Sequence, residues 1–189
     1  MIRLVGLCGY AGAGKDTAAL GLVREGATRV AFADPLKEML ATLMRIRGAK
    51  EEHINAALWG VLKHVPSPYL SNQTPRHAAQ TLGTEWGRVD MDPDFWLDTF
   101  EDVASQHSDV VVTDVRFPNE VERIHDLGGI VIRIERPNNP GDIGQSHASE
   151  AFIADLKVDW TVFNDGSVEQ LHSKVKCIVE TVFNETSVA

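Results

Sequence analysis

Apolar positions along this chain follow two rhythms. Short, nearly unbroken apolar runs occur at Ile2–Cys8, Arg29–Phe32, Val110–Asp114, Ile130–Ile134 and Trp160–Phe163. Runs of this kind, rich in β-branched residues and poor in alternation, predict strands covered on both faces. The stretches between them carry helical spacing, and strand–helix alternation implies right-handed crossovers and a parallel sheet, an α/β fold. Asp34-Pro35 reads as an N-cap followed by proline at the first helical position, launching a helix from Leu36 to about Arg47. A polar, helical insertion from Glu51 to Ser105 separates the second strand from the third. Within it Val65-Pro66-Ser67-Pro68 is a break, Thr74-Pro75 opens a helix carrying Arg76 and Gln80, and Asp92-Pro93 opens another over Asp94 to Val103. Gly128-Gly129 closes the helix after the third strand. Arg136 to Gly144 is dense in helix and strand breakers, a loop. Asn164-Asp165-Gly166 then turns the chain into a final amphipathic helix ending near Asn184, with a frayed tail after it.

The first apolar run feeds directly into Gly9-Tyr10-Ala11-Gly12-Ala13-Gly14-Lys15-Asp16-Thr17, and an Ala/Leu-rich helix start follows. This is a Gly-x-x-x-x-Gly-Lys loop in its required strand–loop–helix setting. Glycines let the main chain wrap a polyphosphate without Cβ collisions, so that successive N–H groups point inward. The helix start adds its positive dipole end and Lys15 a mobile charge, so a nucleoside triphosphate, with ATP expected, belongs here. The hydroxyl that usually follows the lysine is displaced by one: Asp16 comes first and Thr17 second. The metal shell therefore differs from that of a GTPase or motor ATPase.

Composition narrows the classes. A chain of 189 residues with 43% hydrophobic and 24% charged residues is a soluble globular domain, expected to be single. The net charge of −9 argues against a nucleic-acid surface. No apolar run approaches the length of a membrane span, and no signal pattern opens the chain. Cys8 and Cys177 form no disulfide framework or zinc pattern, so a reducing cytoplasm is expected. The final helix and the Trp59–Tyr69 region offer apolar surface for a homodimer, which nothing in the sequence decides.

Other residues suggest chemistry by position. Asp114 ends an apolar strand beside the phosphate loop, where it can orient a Mg²⁺ shell or simply cap the next helix. Arg116, just past that strand, suits phosphate oxygens or a surface pair with Glu120. Arg76 and Gln80, four apart on one helix face, with Arg88 beyond, would give a fork and an amide to a second phosphorylated substrate, or a solvated face. Asp34 and Lys37 flank the end of the second strand, as a cap and a solvated lysine or as ligands. Arg133 and Arg136 stand at the mouth of the breaker-rich loop, which would close as a lid at about 136–150, or remain a plain surface loop.

The order of these pieces resembles the deoxynucleoside monophosphate kinases of bacteriophages and, more distantly, phosphomevalonate kinases. The resemblance rests on Gly9–Thr17, Phe32–Lys37, Arg76–Gly83 extending to Gly87-Arg88, and Asp114–Phe117 with Asn119-Glu120. Gly128-Gly129 into Arg136-Pro137, His147–Glu150 and Asn164–Gly166 complete it. It implies a three-layer α/β/α P-loop kinase with a five-stranded parallel sheet, transferring the ATP γ-phosphoryl group to a nucleoside monophosphate with Mg²⁺. Carried over, Gly12, Ala13, Gly14, Lys15, Asp16, Thr17, Arg133, Asn164 and Gly166 are expected on ATP, with Asn164–Gly166 passing the adenine. Asp34, Lys37, Arg76, Gln80, Arg88, Arg116 and Glu150 are expected on the acceptor, and Asp16, Thr17 and Asp114 near the metal. Lys15, Asp16, Arg116 and Arg136 are expected to serve the transfer itself. The alternatives are another small phosphorylated acceptor, such as phosphomevalonate or dephospho-coenzyme A, or a nucleotide-dependent switch. The absence of an Asn-Lys-x-Asp base-reading motif disfavours the switch.

Overall fold

Five strands, β1 (Arg3–Cys8), β2 (Thr28–Val30), β3 (Asp109–Val112), β4 (Ile130–Glu135) and β5 (Trp160–Phe163), form one sheet in the computed structural model, which describes residues 3–137 and 153–185. Their order is β2-β3-β1-β4-β5 and every pairing is parallel. Each strand lies within two residues of its predicted place. The second ends at Val30 rather than Phe32, because Phe32 leaves the ladder and packs its ring on Phe100, centroids 4.4 Å apart.

The pleat of β1 sorts the layers. Val5 and Leu7 face a core with Ala18, Ala19 and Leu22 of α1 (Lys15–Arg24) and Leu171 and Val175 of the last helix, Val168–Glu185. The alternate residues face the other way: a Cβ on Gly6 would lie 2.7 Å from Ile124 Cδ1, and one on Gly129 2.9 Å from Leu4 Cβ. Ile124 belongs to the helix Pro118–Asp126. The sheet is thus sandwiched between helices, the three-layer α/β/α arrangement. That helix ends as expected, with Gly128 at φ +77° and the Gly128 and Gly129 N–H groups bonded to the His125 and Ile124 carbonyls.

The chain divides into two compact units, residues 1–31 with 101–189, and Phe32–Phe100. The second holds α2 (Asp34–Ile46), α3 (Glu51–Leu58), a 3₁₀ turn at Pro68–Leu70 and α4 (Pro75–Thr81), which continues as a π-helix over Leu82–Met91. It starts earlier than the expected insertion because Leu40, Ala41 and Met44 of α2 share a core with Ile54, Ala57, Leu58 and Leu70. α5 (Phe95–Ala104) then leads to β3, and α6 (Pro118–Asp126) and α7 (Val168–Glu185) complete the order. The start of α2 differs from expectation. Ala33 is the cap, without a side-chain bond, and Asp34 lies in the first turn, where its charge suits the helix dipole. Thr74 does cap α4, its Oγ1 accepting the His77 N–H at 3.1 Å. Among the described residues no helix is long and apolar enough to cross a membrane.

Candidate active site

The glycine loop closes on itself. Gly9 has φ +137°, and a Cβ there would lie 2.4 Å from the Ile134 carbonyl oxygen, so only glycine lets the loop leave β1 beside β4. Gly14, at φ +105°, is the cap of α1 and supplies no side chain. The first N–H groups of α1 therefore have no side-chain oxygen capping them at Gly14, the arrangement that receives anions. Lys15 Nζ donates to the carbonyls of Gly9 at 2.6 Å and Tyr10 at 3.0 Å, drawn across the loop it belongs to.

A cleft of about 360 Å³ opens from this loop, a volume in the range of small-molecule sites. Gly12, Gly14, Lys15, Asp16 and Thr17 line one side, with Arg136, Asn164, Gly166, Val168 and Leu171. Asn164 is tied to the loop: its Nδ2 donates to the Ala13 carbonyl at 2.9 Å, and a Cβ on Gly14 would come within 2.5 Å of that nitrogen. The turn expected to pass the base clamps the glycine loop. Ser167 and Gln170 start α7 with a capping box, each side chain serving the other's N–H, at 2.8 and 3.3 Å. The Gln170 amide fills the space where a Gly166 side chain would stand.

Arg133, expected on the nucleotide, is turned elsewhere. Its NH2 donates to the carbonyls of Ile153, Ala154 and Leu156 at 3.0, 3.2 and 2.8 Å, and it is absent from the cleft lining. In register with Cys8 across the sheet, it holds the Ile153–Leu156 segment beside β4. Cys8 is fully buried, and burial pushes its thiol up against the opposing pull of Arg133 and Lys15, so it is no nucleophile.

Asp114 lies two residues past the end of β3, on the sheet edge from which the loop springs. It is not the cap of α6, for the cap position is Phe117. The capping group is Glu120, which is 2% exposed and whose Oε2 accepts the main-chain N–H of Arg116 at 2.6 Å and of Phe117 at 3.1 Å. The Phe117 side chain has no acceptor to return, so only this half of a capping box exists, and the Glu120 N–H goes to the Phe117 carbonyl at 3.1 Å. Glu120 thereby holds the Arg116 backbone, a role the sequence reading missed. The Asn119-Glu120 pair three residues into a helix was the available signal.

In the other unit Arg76 and Gln80 share a face of α4 as predicted, both half-buried. No carboxylate pairs with the Arg76 guanidinium among the described residues. Arg88 does not continue that face, because α4 passes into the π-helix before reaching it; its NH1 donates to the Pro93 carbonyl at 3.2 Å. The widened turn arises where Trp96 buries its ring against Gly87, whose Cβ would meet Nε1 at 2.3 Å, and donates Nε1–H to the Gly83 carbonyl at 2.8 Å. Asp34 and Lys37 face each other across 3.8 Å on the first turn of α2. Glu150 and residues 138–150 of the expected lid lie outside the described residues; Arg136, at its start, is exposed and lines the cleft.

Mg²⁺ demands hard oxygen donors and keeps several waters, binding through one or two carboxylates and substrate phosphates rather than an all-protein cage. Asp16 and Thr17 supply such oxygens at the cleft, and no cluster of three acidic, histidine or cysteine ligands occurs among the described residues. The donor set fits a metal brought by the nucleotide.

Similarity to known proteins extends over most of the chain. Residues 69–175 match the family model of deoxynucleotide monophosphate kinase. A protein of Acanthamoeba polyphaga mimivirus named "Putative deoxynucleotide monophosphate kinase" is 32% identical over 197 residues, covering 94% of this chain and 96% of its own length. The deoxynucleotide monophosphate kinase of Enterobacteria phage T4 is 27% identical over 131 residues, 67% of this chain but 54% of that enzyme. Among solved structures, dephospho-CoA kinase from Campylobacter jejuni superposes with a TM-score of 0.52 at 14% identity, over 95% of this chain and 97% of that one. TT1252 from Thermus thermophilus gives 0.51 at 16%, over 96% and 98%. At such identities these two speak for the fold alone, whereas the sequence match spans more than half the chain and one relative aligns nearly end to end. This chain belongs to the deoxynucleotide monophosphate kinase family.

Proposed function

We infer that the protein transfers the γ-phosphoryl group of ATP to a deoxynucleoside monophosphate, giving a deoxynucleoside diphosphate and ADP. The observation that carries this reading is the glycine loop closed by Lys15 at the head of a nucleotide-sized cleft, in a chain of this family. The donor polyphosphate takes the N–H groups at the start of α1 and the ammonium of Lys15, while its base runs toward Asn164, Gly166, Val168 and Leu171. Asp16 and Thr17, with Asp114 past the end of β3, would hold a Mg²⁺, which would supply charge neutralisation on the donor phosphates. Arg136, which lines the cleft, and Arg116, past the end of β3, are assigned to the moving phosphoryl group. In the helical unit, Arg76 and Gln80 offer the acceptor a fork for its phosphate and an amide for its base, with Asp34, Lys37 and Arg88 near the ends of their helices.

The chemistry asks for little more. An acceptor phosphate oxygen is already nucleophilic at neutral pH, so no strong general base is needed. Alignment and charge neutralisation supply the acceleration. The test is a panel of dAMP, dGMP, dCMP, dTMP and the matching ribonucleotides with ATP and Mg²⁺, read as ADP release and nucleoside diphosphate formed. Strong stimulation by at least one deoxynucleotide is expected. ATP hydrolysis that no acceptor accelerates would overturn the reading.

A further inference from the structure

Glycine inside a helix costs about 1 kcal/mol relative to alanine, so an interior glycine needs a reason. Gly21 lies within α1, one turn beyond Thr17. Its reason is His172 of α7. A Cβ at position 21 would lie 2.8 Å from both Cγ and Cδ2 of that imidazole and 3.2 Å from its Cβ. The ring therefore rests on the bare main chain, and Nε2 reaches the Thr17 carbonyl at 2.8 Å. A carbonyl oxygen only accepts, so Nε2 carries the proton and donates.

The two helices joined here both line the cleft assigned to the donor nucleotide. α1 contributes Lys15, Asp16 and Thr17, and α7 contributes Val168 and Leu171, the residue before His172. A second polar link, from Lys176 of α7 to Glu25 just past the end of α1 at 2.6 Å, is exposed and lies further from the loop. Exposed pairs of that kind hold weakly.

Resting on the donor assignment above, we propose that His172 is a positioning residue for the donor nucleotide. Seated on Gly21 and bonded to the Thr17 carbonyl, it sets the distance between the wall that grips the phosphates and the wall that covers the base. It touches no substrate. Loss of the bond lets α7 shift against α1, which weakens donor binding while leaving the acceptor untouched.

The experiment compares His172→Leu, which keeps bulk without a donor, His172→Gln, which keeps an N–H donor, and Gly21→Ala, which pushes the ring away. Steady-state constants for ATP and acceptor are measured alongside calorimetric ATP affinity and thermal melting. For His172→Leu, KM and Kd for ATP are expected to rise about three- to tenfold, the span of one net hydrogen bond, with acceptor KM and kcat within about twofold of the parent. His172→Gln recovers most of the loss, and Gly21→Ala moves donor binding in the same direction. Should His172→Leu fail to fold, Gly21→Ala carries the same comparison. Variants that melt earlier yet keep the parental KM for ATP overturn the proposal, as does a parallel rise in both KM values. A parent protein that binds no ATP instead defeats the donor assignment itself, so the two failures are separable.

Discussion

In the sheet unit, main-chain atoms hold charged and polar groups at the cleft and after β3. Lys15 rests on the Gly9 and Tyr10 carbonyls, Asn164 on the Ala13 carbonyl, and Glu120 on the N–H groups of Arg116 and Phe117. In the helical unit, Arg76 and Gln80 extend from one face of a seven-residue helix, and Trp86, Phe95 and Trp96 meet in edge-on and tilted contacts at the π-helix that follows. The first arrangement is preorganised by backbone geometry and leaves no room for a side chain at Gly9 or Gly14. The second depends on long side chains and aromatic packing; the proposed function gives the first to the donor and the second to the acceptor.

The contrast is most severely tested at Lys15. Lys15→Ala is expected to lower kcat by at least about 100-fold, the loss typical of removing a preorganised charge donor, with the melting curve retained. Near-parental ADP release from a folded Lys15→Ala protein would remove the basis for the donor site. A paired glycine experiment comes next. Gly14→Ala forces a left-handed φ on alanine and drives its Cβ against Asn164, so a loss of about 1–3 kcal/mol is expected together with weakened ATP binding. Gly87→Ala meets Trp96 instead and is expected to cost a similar amount by overpacking, about 1–3 kcal/mol, while ATP affinity on the folded protein stays unchanged. If both variants lose ATP binding equally, the division of labour between the units is wrong. Third, Arg76→Ala should raise acceptor KM by about 10- to 100-fold, the value of a charge-assisted pair, without altering ATP affinity in calorimetry.

The smallest effect concerns the pair at the edge of the sheet unit. The hydrogen bond from Arg3 holds the Asp109 carboxyl below the usual carboxylate range. A folded-state value lower than the unfolded one stabilises the protein above the unfolded value of about 3.9 and is lost as pH falls through the folded one. The pair is partly exposed, so its contribution is about 1 kcal/mol or less. Arg3→Met should therefore lower the urea midpoint slightly at neutral pH and not at all once Asp109 is protonated. An equal shift at both pH values would show that packing of the Arg3 stem, not charge, is responsible.

Local chemistry alone determined the strands, the parallel α/β class, the phosphate loop and the helix starts at Lys15 and Pro75, because each depends on contacts within a few residues. Apolar runs, glycines at forced φ angles and a threonine before proline act wherever the chain goes. Arg76 and Gln80 sharing a face was legible for the same reason, since helical periodicity needs no partner. What only the tertiary structure decided involves atoms far apart in sequence: Asn164 on Ala13, His172 on Thr17, Arg133 turned to the Ile153–Leu156 carbonyls, and the π-turn that takes Arg88 off the α4 face. Asp34 shows the limit even locally, for Asp-Pro is a fair cap signal, yet the helix began one residue sooner. A side chain's partner is selected by whichever element packs beside it, and that information exists only once the sheet order has brought α7 against α1 and β4 beside β1.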